Sequence, residues 1–182
     1  MKLFKRVQSL IAKKTGAEPF APQSAAEIAA LDNNALISAL CDHFLRKENH
    51  ESPENFWQGL NESSKIAYSA QNYEMEVNNG GLQQYLENSS SMTVPYLSKA
   101  LKALHAERHL VLWERFLHKN NIDEASLSLI ASGESQNIID LIPDEIFEEY
   151  DNEFYKLETE ETLDKLIAEY TREHIDKIFD FE

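Results

Sequence analysis

Two adjacent glycines, Gly80 and Gly81, interrupt the longest helical pattern in this chain. Apolar residues recur at helical spacing before the pair, over residues 66–77, and again after it, over residues 82–86. Glycine tolerates the left-handed backbone that ends a helix, and asparagine, which stands at position 79, tolerates it next best. The sequence therefore predicts a helix-to-helix junction at this point, around which the rest of the fold must be arranged.

The apolar periodicity is helical almost throughout the chain. Only five glycines and five prolines occur among 182 residues, which is few for an all-β protein that needs many tight turns. We therefore predict an all-α fold, a single-domain multi-helix bundle of roughly 8–10 helices without significant sheet. The predicted organisation is a basic amphipathic helix and linker over residues 1–23, followed by an acidic helical domain over residues 24–182.

Polar residues of the kind that cap helix N-termini mark the predicted helix starts. Ser24 and Glu27 have the spacing of a capping box, and Ser52 precedes a proline at the first helical position. Further starts are predicted at Asp32, at Ser63 or Ser64, at Asp123, after Pro143 and within residues 159–162.

A set of polar residues around the glycine pair forms the central motif of the chain. Its members are Glu76, Asn78, Asn79, Gly80, Gly81, Gln84, Tyr85 and Asn88. Amide side chains satisfy the backbone groups that are left free where one helix stops and another begins, and Glu76 and Gln84 are placed to bridge the two helices. We predict a structural role for this motif. The alternative is a small-molecule pocket or active site around Glu76, Asn79 and Tyr85, with the carboxylate as a general acid or base.

Charge is distributed unevenly along the chain. The formal net charge is −15, from 17 basic and 32 acidic residues. Residues 1–14 hold five basic groups and no acid, whereas residues 134–182 hold 17 acids and four bases. This balance argues against direct binding of nucleic acid, because attraction to phosphate dominates such binding. It favours a basic protein as the partner.

The acidic C-terminal quarter is the predicted partner-binding surface. On a helix, Glu145, Glu149 and Glu153 recur every four residues, about 6 Å apart. Duplex DNA presents one charge per roughly 1.7 Å of its axis, so a protein that imitates DNA needs such helices side by side, or two subunits that present one surface. An ordinary solvated helix face is the alternative. The residues assigned to the surface are Asp144, Glu145, Glu148, Glu149, Asp151, Glu153, Glu158, Glu160 and Glu161.

Residues 1–14 combine their five basic groups with an apolar stripe of Phe4, Val7, Leu10 and Ile11. This pattern predicts a short basic amphipathic helix and is too short for a signal peptide. Three places are open to it: the acidic surface of the same protein, an anionic membrane, or solvent, as a free arm. No other part of the chain is expected to bind a membrane.

No cofactor and no metal site is predicted. Cys41, the one cysteine, lies on a helical apolar stripe and is expected to be a buried small hydrophobe rather than a reactive thiol. His105 and His109 are four residues apart, a spacing that places them on one helix face, but no third metal ligand accompanies them. The single cysteine and the absence of a long apolar run lead us to expect a cytoplasmic protein.

The central motif resembles the signature of the DNA-mimic protein family, a group of small acidic all-helical bacterial proteins. The positions that fit are Glu76, Asn79, Gly80, Gly81, Gln84, Tyr85 and Asn88, and Leu82 stands where phenylalanine is usual. The resemblance covers about residues 25–178 and leaves out the basic residues 1–14. It implies an acidic helical protein that forms a homodimer and binds a DNA-binding regulator by imitating the phosphate array of a duplex.

We therefore expect a non-catalytic protein that binds the basic surface of a partner, in first place a DNA-binding regulator of transcription. Two alternatives stay open. One is the small-molecule binder or enzyme built around Glu76, and the other is an immunity-type protein that neutralises a basic toxin through the same acidic face.

Overall fold

The structure, a computed structural model, describes residues 24–48, 51–134 and 136–181. Helices joined by short turns make up most of these residues, and none of the described residues lies in a strand. This confirms the predicted all-α, single-domain fold, whereas the helix predicted in residues 1–14 lies outside the described residues. The helices are α1 (Ala25–Ala29), α2 (Asn33–Glu48), α3 (Pro53–Gly59), α4 (Glu62–Glu87), a 3-10 helix (Ser89–Tyr96), α5 (Leu97–Ala103), α6 (Glu107–Lys119), α7 (Glu124–Ala131), α8 (Gln136–Ile139), α9 (Asp144–Glu158), α10 (Leu163–Glu173) and α11 (Ile175–Ile178).

Helix α4 is the centre of the molecule. It contacts the 3-10 helix and six other helices, α5, α7, α8, α9, α10 and α11. Most of its residues are buried, including polar ones such as Ser69 and Gln71, so the helix is covered nearly all round. A helix enclosed in this way fixes the positions of the elements that surround it.

Aromatic side chains fill the core where α4 meets α9. Tyr73, Tyr85 and Phe154 are fully buried, and the ring of Tyr73 lies edge-on to the rings of the other two, with centroids 5.5 Å apart in each case. The Tyr73 hydroxyl hydrogen-bonds to the Tyr150 hydroxyl (2.5 Å), and the Tyr85 hydroxyl to Thr93 Oγ1 (2.8 Å). Each of these four hydroxyls therefore has a partner, and none of the four is left unsatisfied in the core.

Most of the predicted helix starts are confirmed. Ser24 and Glu27 form the complete capping box, and Ser52 and Asp123 cap the helices that follow them. Helix α4 begins earlier than predicted, because Asn61 rather than a serine accepts the N–H of Ser64. No helix in the described part of the chain is long and apolar enough to cross a membrane.

The predicted placement of His105 and His109 on one helix face is wrong. Helix α5 ends at Ala103, and His105 lies in the turn before α6 with a φ of +56°. The N–H of Ala106 donates to the carbonyl of Leu101 (2.9 Å), which closes this turn. His105 is exposed, whereas His109 is fully buried in α6.

Candidate functional site

Helix α4 is broken at the glycine pair, as the sequence predicts. Gly80 (φ −164°, ψ 19°) and Gly81 (φ 83°, ψ 176°) depart from helical geometry, so the chain stops one helix and starts another. The conformation of Gly81 belongs to a region that is essentially confined to glycine. The break exposes Gly80 but keeps Gly81 and the following Leu82 buried.

Asp151 of α9 caps the second half of the broken helix. Its Oδ1 accepts the N–H of Leu82 at 2.8 Å, which satisfies a backbone donor that has no partner within the helix. The carboxylate lies so close to the break that a Cβ on Gly81 would be 2.2 Å from Asp151 Oδ2. Position 81 therefore requires glycine for two reasons, its backbone conformation and the space that Asp151 occupies.

The carboxylate of Glu76 ties the two halves of α4 to the 3-10 helix. Oε2 accepts the side-chain amides of Gln84 (2.7 Å) and Asn88 (2.8 Å), and Oε1 accepts the hydroxyl of Ser90 (3.0 Å). Glu76 is buried, so three donors compensate for the loss of water around its charge. The predicted bridge between Glu76 and Gln84 is therefore observed.

The other motif residues do not converge on a shared ligand position. The ring of Tyr85 is buried and its hydroxyl contacts Thr93, whereas Asn79 is exposed. Asn78 donates its amide to Glu74 Oε1 (2.6 Å). The geometry thus uses Glu76 and Tyr85 for internal contacts and leaves Asn79 on the surface.

Two further acids cap helix N-termini, one of them five residues away and the other more than 50 residues away. Glu158, at the end of α9, accepts the N–H of Leu163 through both oxygens (3.3 and 3.2 Å) and so caps α10. Glu161 Oε1 accepts the N–H groups of Arg108 (3.1 Å) and His109 (3.3 Å) in the first turn of α6. The partial positive charge of a helix N-terminus favours a carboxylate at each of these positions, although for Glu158 burial opposes this effect more strongly.

Three more of the predicted surface acids form ion pairs with α6. The pairs are Lys119–Glu149 (2.6 Å between Nζ and Oε2), Arg115–Glu153 and Arg108–Glu160. The first two span a narrow groove between α6 and α9 that is lined by Phe116, Ile146 and Tyr150. Exposed pairs contribute little to stability, but they neutralise the acids that take part in them.

Three predicted acids remain, Asp144, Glu145 and Glu148, and together with the neighbouring Asp140 and Leu141 they form an exposed patch, which we call the acidic tip. It consists of Asp140, Leu141, Asp144, Glu145 and Glu148, at the start of α9 and in the turn before it. All five residues are exposed, and among the described residues none of the four acids has an ion pair. The sequence around the tip, residues 120–155, has ten acids and no lysine or arginine.

A second group of titratable residues, which the sequence did not reveal, lies where α4, α6, α9 and α10 meet; its His109 is buried, and its Glu74, Glu158 and Asp164 are half-buried. Burial, with the charges of Asp164 and Glu158 added, raises the pKa of Glu74 to about 8, and burial raises the pKa of Glu158 to about 7. Burial lowers the pKa of His109, so its ring is neutral and Nε2–H donates to the Glu161 carbonyl (2.8 Å), with Glu158 Oε1 at 3.3 Å. Three acids and a histidine on four different helices give no periodic signal in sequence, so only the fold brings them together.

Cys41 is half-buried rather than fully buried as predicted, and its thiol has a hydrogen-bond partner. The amide of Gln71 donates to Cys41 Sγ (2.8 Å), and burial raises the pKa of this thiol to about 12, so little thiolate forms at neutral pH. Within the described ranges no group of three or more His, Cys, Asp or Glu residues has the geometry to hold a metal ion.

The first prediction concerns the break in α4. The substitution Gly81→Ala should lower the free energy of unfolding by about 3 kcal/mol, because it adds backbone strain and displaces the carboxylate of Asp151 from the Leu82 N–H. Urea denaturation followed by circular dichroism at 222 nm measures this change. Gly133→Ala is the matched control, because Gly133 also has a positive φ (+78°) but open space around its Cβ position. It should cost only about 1–2 kcal/mol, and an equal loss for both variants would contradict the steric role of Asp151.

The second prediction concerns Glu74. Because the pKa of this carboxyl is raised in the folded state, its favourable contribution is present below about pH 4.5 and is lost as the pH rises towards about 8. Glu74→Gln keeps the acceptor for the Asn78 amide and removes the charge. The variant should be more stable than the wild type by about 1–3 kcal/mol near pH 8, a figure discounted for the partial exposure of the side chain. Thermal unfolding at about pH 4 and about pH 8 tests this, and a gain of equal size at both values would refute the assignment.

Comparison with known families places these features in context. A model of the DMP19-like protein family matches residues 58–174, well over half of the chain. The match includes the broken helix α4 and the helix α9 that caps it. No curated protein and no solved structure matches the chain. The resemblance to the DNA-mimic protein family is wrong, because the family that matches is a different one. The chain belongs to the DMP19-like protein family.

Proposed function

We propose that this protein is a non-catalytic acidic protein that binds a basic surface on a partner protein through the acidic tip. The observation that carries the proposal is which acids of the C-terminal quarter already have a partner within the protein. Those on the remainder of α9 and in the following turn are used for caps and ion pairs, whereas Asp144, Glu145 and Glu148 are exposed and lack an ion pair among the described residues. A charge without an internal partner is available for an external one.

The size of the acidic tip favours a compact basic epitope. Helix α9 has 15 residues and is about 22 Å long. Its free acids occupy only the first five of these positions, so one molecule presents far less charge than the same length of duplex DNA. A DNA-binding regulator in the cytoplasm is the partner class that we place first, because such proteins carry clustered lysine and arginine. Imitation of an extended phosphate array would need a second subunit, and the homodimer stays a prediction.

The geometry gives less support to a small-molecule binder or enzyme around the central motif. The carboxylate of Glu76 accepts hydrogen bonds from Gln84, Asn88 and Ser90. A general base must reach a substrate proton, and this carboxylate is buried among its own donors. An immunity-type role uses the same acidic tip, and the identity of the captured partner separates it from regulator binding.

Neutralisation of the tip tests the proposal. In Asp144→Asn/Glu145→Gln/Glu148→Gln the net charge changes by three, and the caps and ion pairs of the other acids are untouched. Immobilised wild type should capture a basic nucleic-acid-binding protein from the parent cell extract at about 50 mM salt and lose most of it at about 300 mM, because the association is electrostatic. The tip variant should capture at least about tenfold less, as quantified by mass spectrometry.

The control has the same charge change at other places. Glu51, Glu114 and Glu173 are exposed and have no ion pair among the described residues, so their replacement by glutamine matches the tip variant in net charge. The control should retain the partner. Equal capture by the wild type and the tip variant would contradict the proposed surface. Enrichment of a basic toxin rather than a DNA-binding protein would contradict the proposed partner class.

A further inference from the structure

The strongest charge complement to the acidic tip lies in the same chain. Residues 1–14 carry five basic groups and no acid, whereas the tip lies in a 36-residue stretch, 120–155, that has ten acids and no base. Opposite charges segregated in this way attract each other over a distance of about a Debye length, roughly 8–10 Å at physiological ionic strength. We therefore expect a basic segment tethered to the domain to bind at the acidic tip.

The tip also offers an apolar contact. Leu141 is 82% exposed, the most exposed large hydrophobic side chain of the described chain, and it lies between Asp140 and Asp144. Residues 1–14 contain Phe4, Val7, Leu10 and Ile11 at helical spacing beside their basic groups. The segment thus supplies both kinds of contact that the tip lacks, whereas a purely charged partner would leave Leu141 in water.

The connection between the two is long enough to allow docking. Residues 15–23 separate the basic segment from Ser24, where the described domain begins. Nine residues span up to about 30 Å when extended, and the 14 residues before them add to that reach. A chain of this reach extends across a domain of this size, whose diameter is about 40 Å.

We propose that residues 1–14 dock on the acidic tip of the same molecule and compete there with the basic partner. Tethering gives the segment an effective concentration in the millimolar range. A partner that binds the tip must displace the segment, so the affinity for the partner is lower in the intact chain than the tip alone would give. This inference shares its surface with the proposed function, but its test uses no partner protein, so either one can fail without the other.

The probe is a fluorescent synthetic peptide of residues 1–14. Its affinity for the full chain is measured at low salt from the rise in fluorescence anisotropy as the full chain is added. The first variant replaces the five basic residues of the segment in the chain by glutamine, at Lys2, Lys5, Arg6, Lys13 and Lys14. Because the tip is then vacant, this variant should bind the peptide at least about tenfold more tightly than the wild type. Addition of the tip substitutions Asp144→Asn, Glu145→Gln and Glu148→Gln to this variant should abolish the gain.

A matched control removes five basic groups that lie elsewhere. These are Lys65, Lys102, Lys156, Lys165 and Lys177, each replaced by glutamine, and this control should bind the peptide about as weakly as the wild type. Equal gains for the two five-fold variants would mean that net charge alone is responsible and would overturn the proposal. It would also be overturned by equal peptide affinity of the wild type and the segment variant. Self-association that grows with protein concentration in sedimentation velocity would place residues 1–14 on the tip of a second molecule. That result would contradict docking within one molecule.

Discussion

The hydrogen bond from the Leu82 N–H to Asp151 is the contact on which the architecture depends. It lies where α4, the helix that most of the others pack against, is broken by two glycines. A break in a buried helix leaves backbone groups without partners, which costs free energy unless other groups supply the missing bonds. Asp151 supplies one from α9, and Glu76 connects the second half of α4 to the first half and to the 3-10 helix. The break thereby fixes where α9 lies, and with it the core of Tyr73, Tyr85 and Phe154.

The acids of the C-terminal quarter serve two purposes that their sequence does not distinguish. Asp151, Glu158 and Glu161 point inward and cap three helix N-termini, whereas the acids of the acidic tip point outward and have no internal ion pair among the described residues. The first group determines the fold, and the second is available for binding. Net charge alone therefore overstates the surface that is free to meet a partner.

The local features of the fold could be predicted from sequence, and the long-range ones could not. A capping serine such as Ser24 or Ser52 acts on residues two or three positions away, so its partner is visible in the sequence. Asp151 caps a residue 69 positions away, and Glu161 one 53 positions away, so each looked like one more surface acid. The turn at His105 was missed for a related reason, because an L-residue with a positive φ replaces the glycine that usually marks such a helix end. The cluster around Glu74 joins four helices and exists only in the folded chain.

The division of the acids into these two groups is tested most directly by two charge-matched double variants. In one, Asp151 and Glu161 are replaced by alanine, and in the other Glu145 and Glu148. Each change removes two acids, but only the first removes caps, so the first variant should lose about 2–4 kcal/mol of unfolding free energy. The second should stay within about 0.5 kcal/mol of the wild type or gain slightly from relief of repulsion. Equal stability of the two variants in urea denaturation would contradict the account.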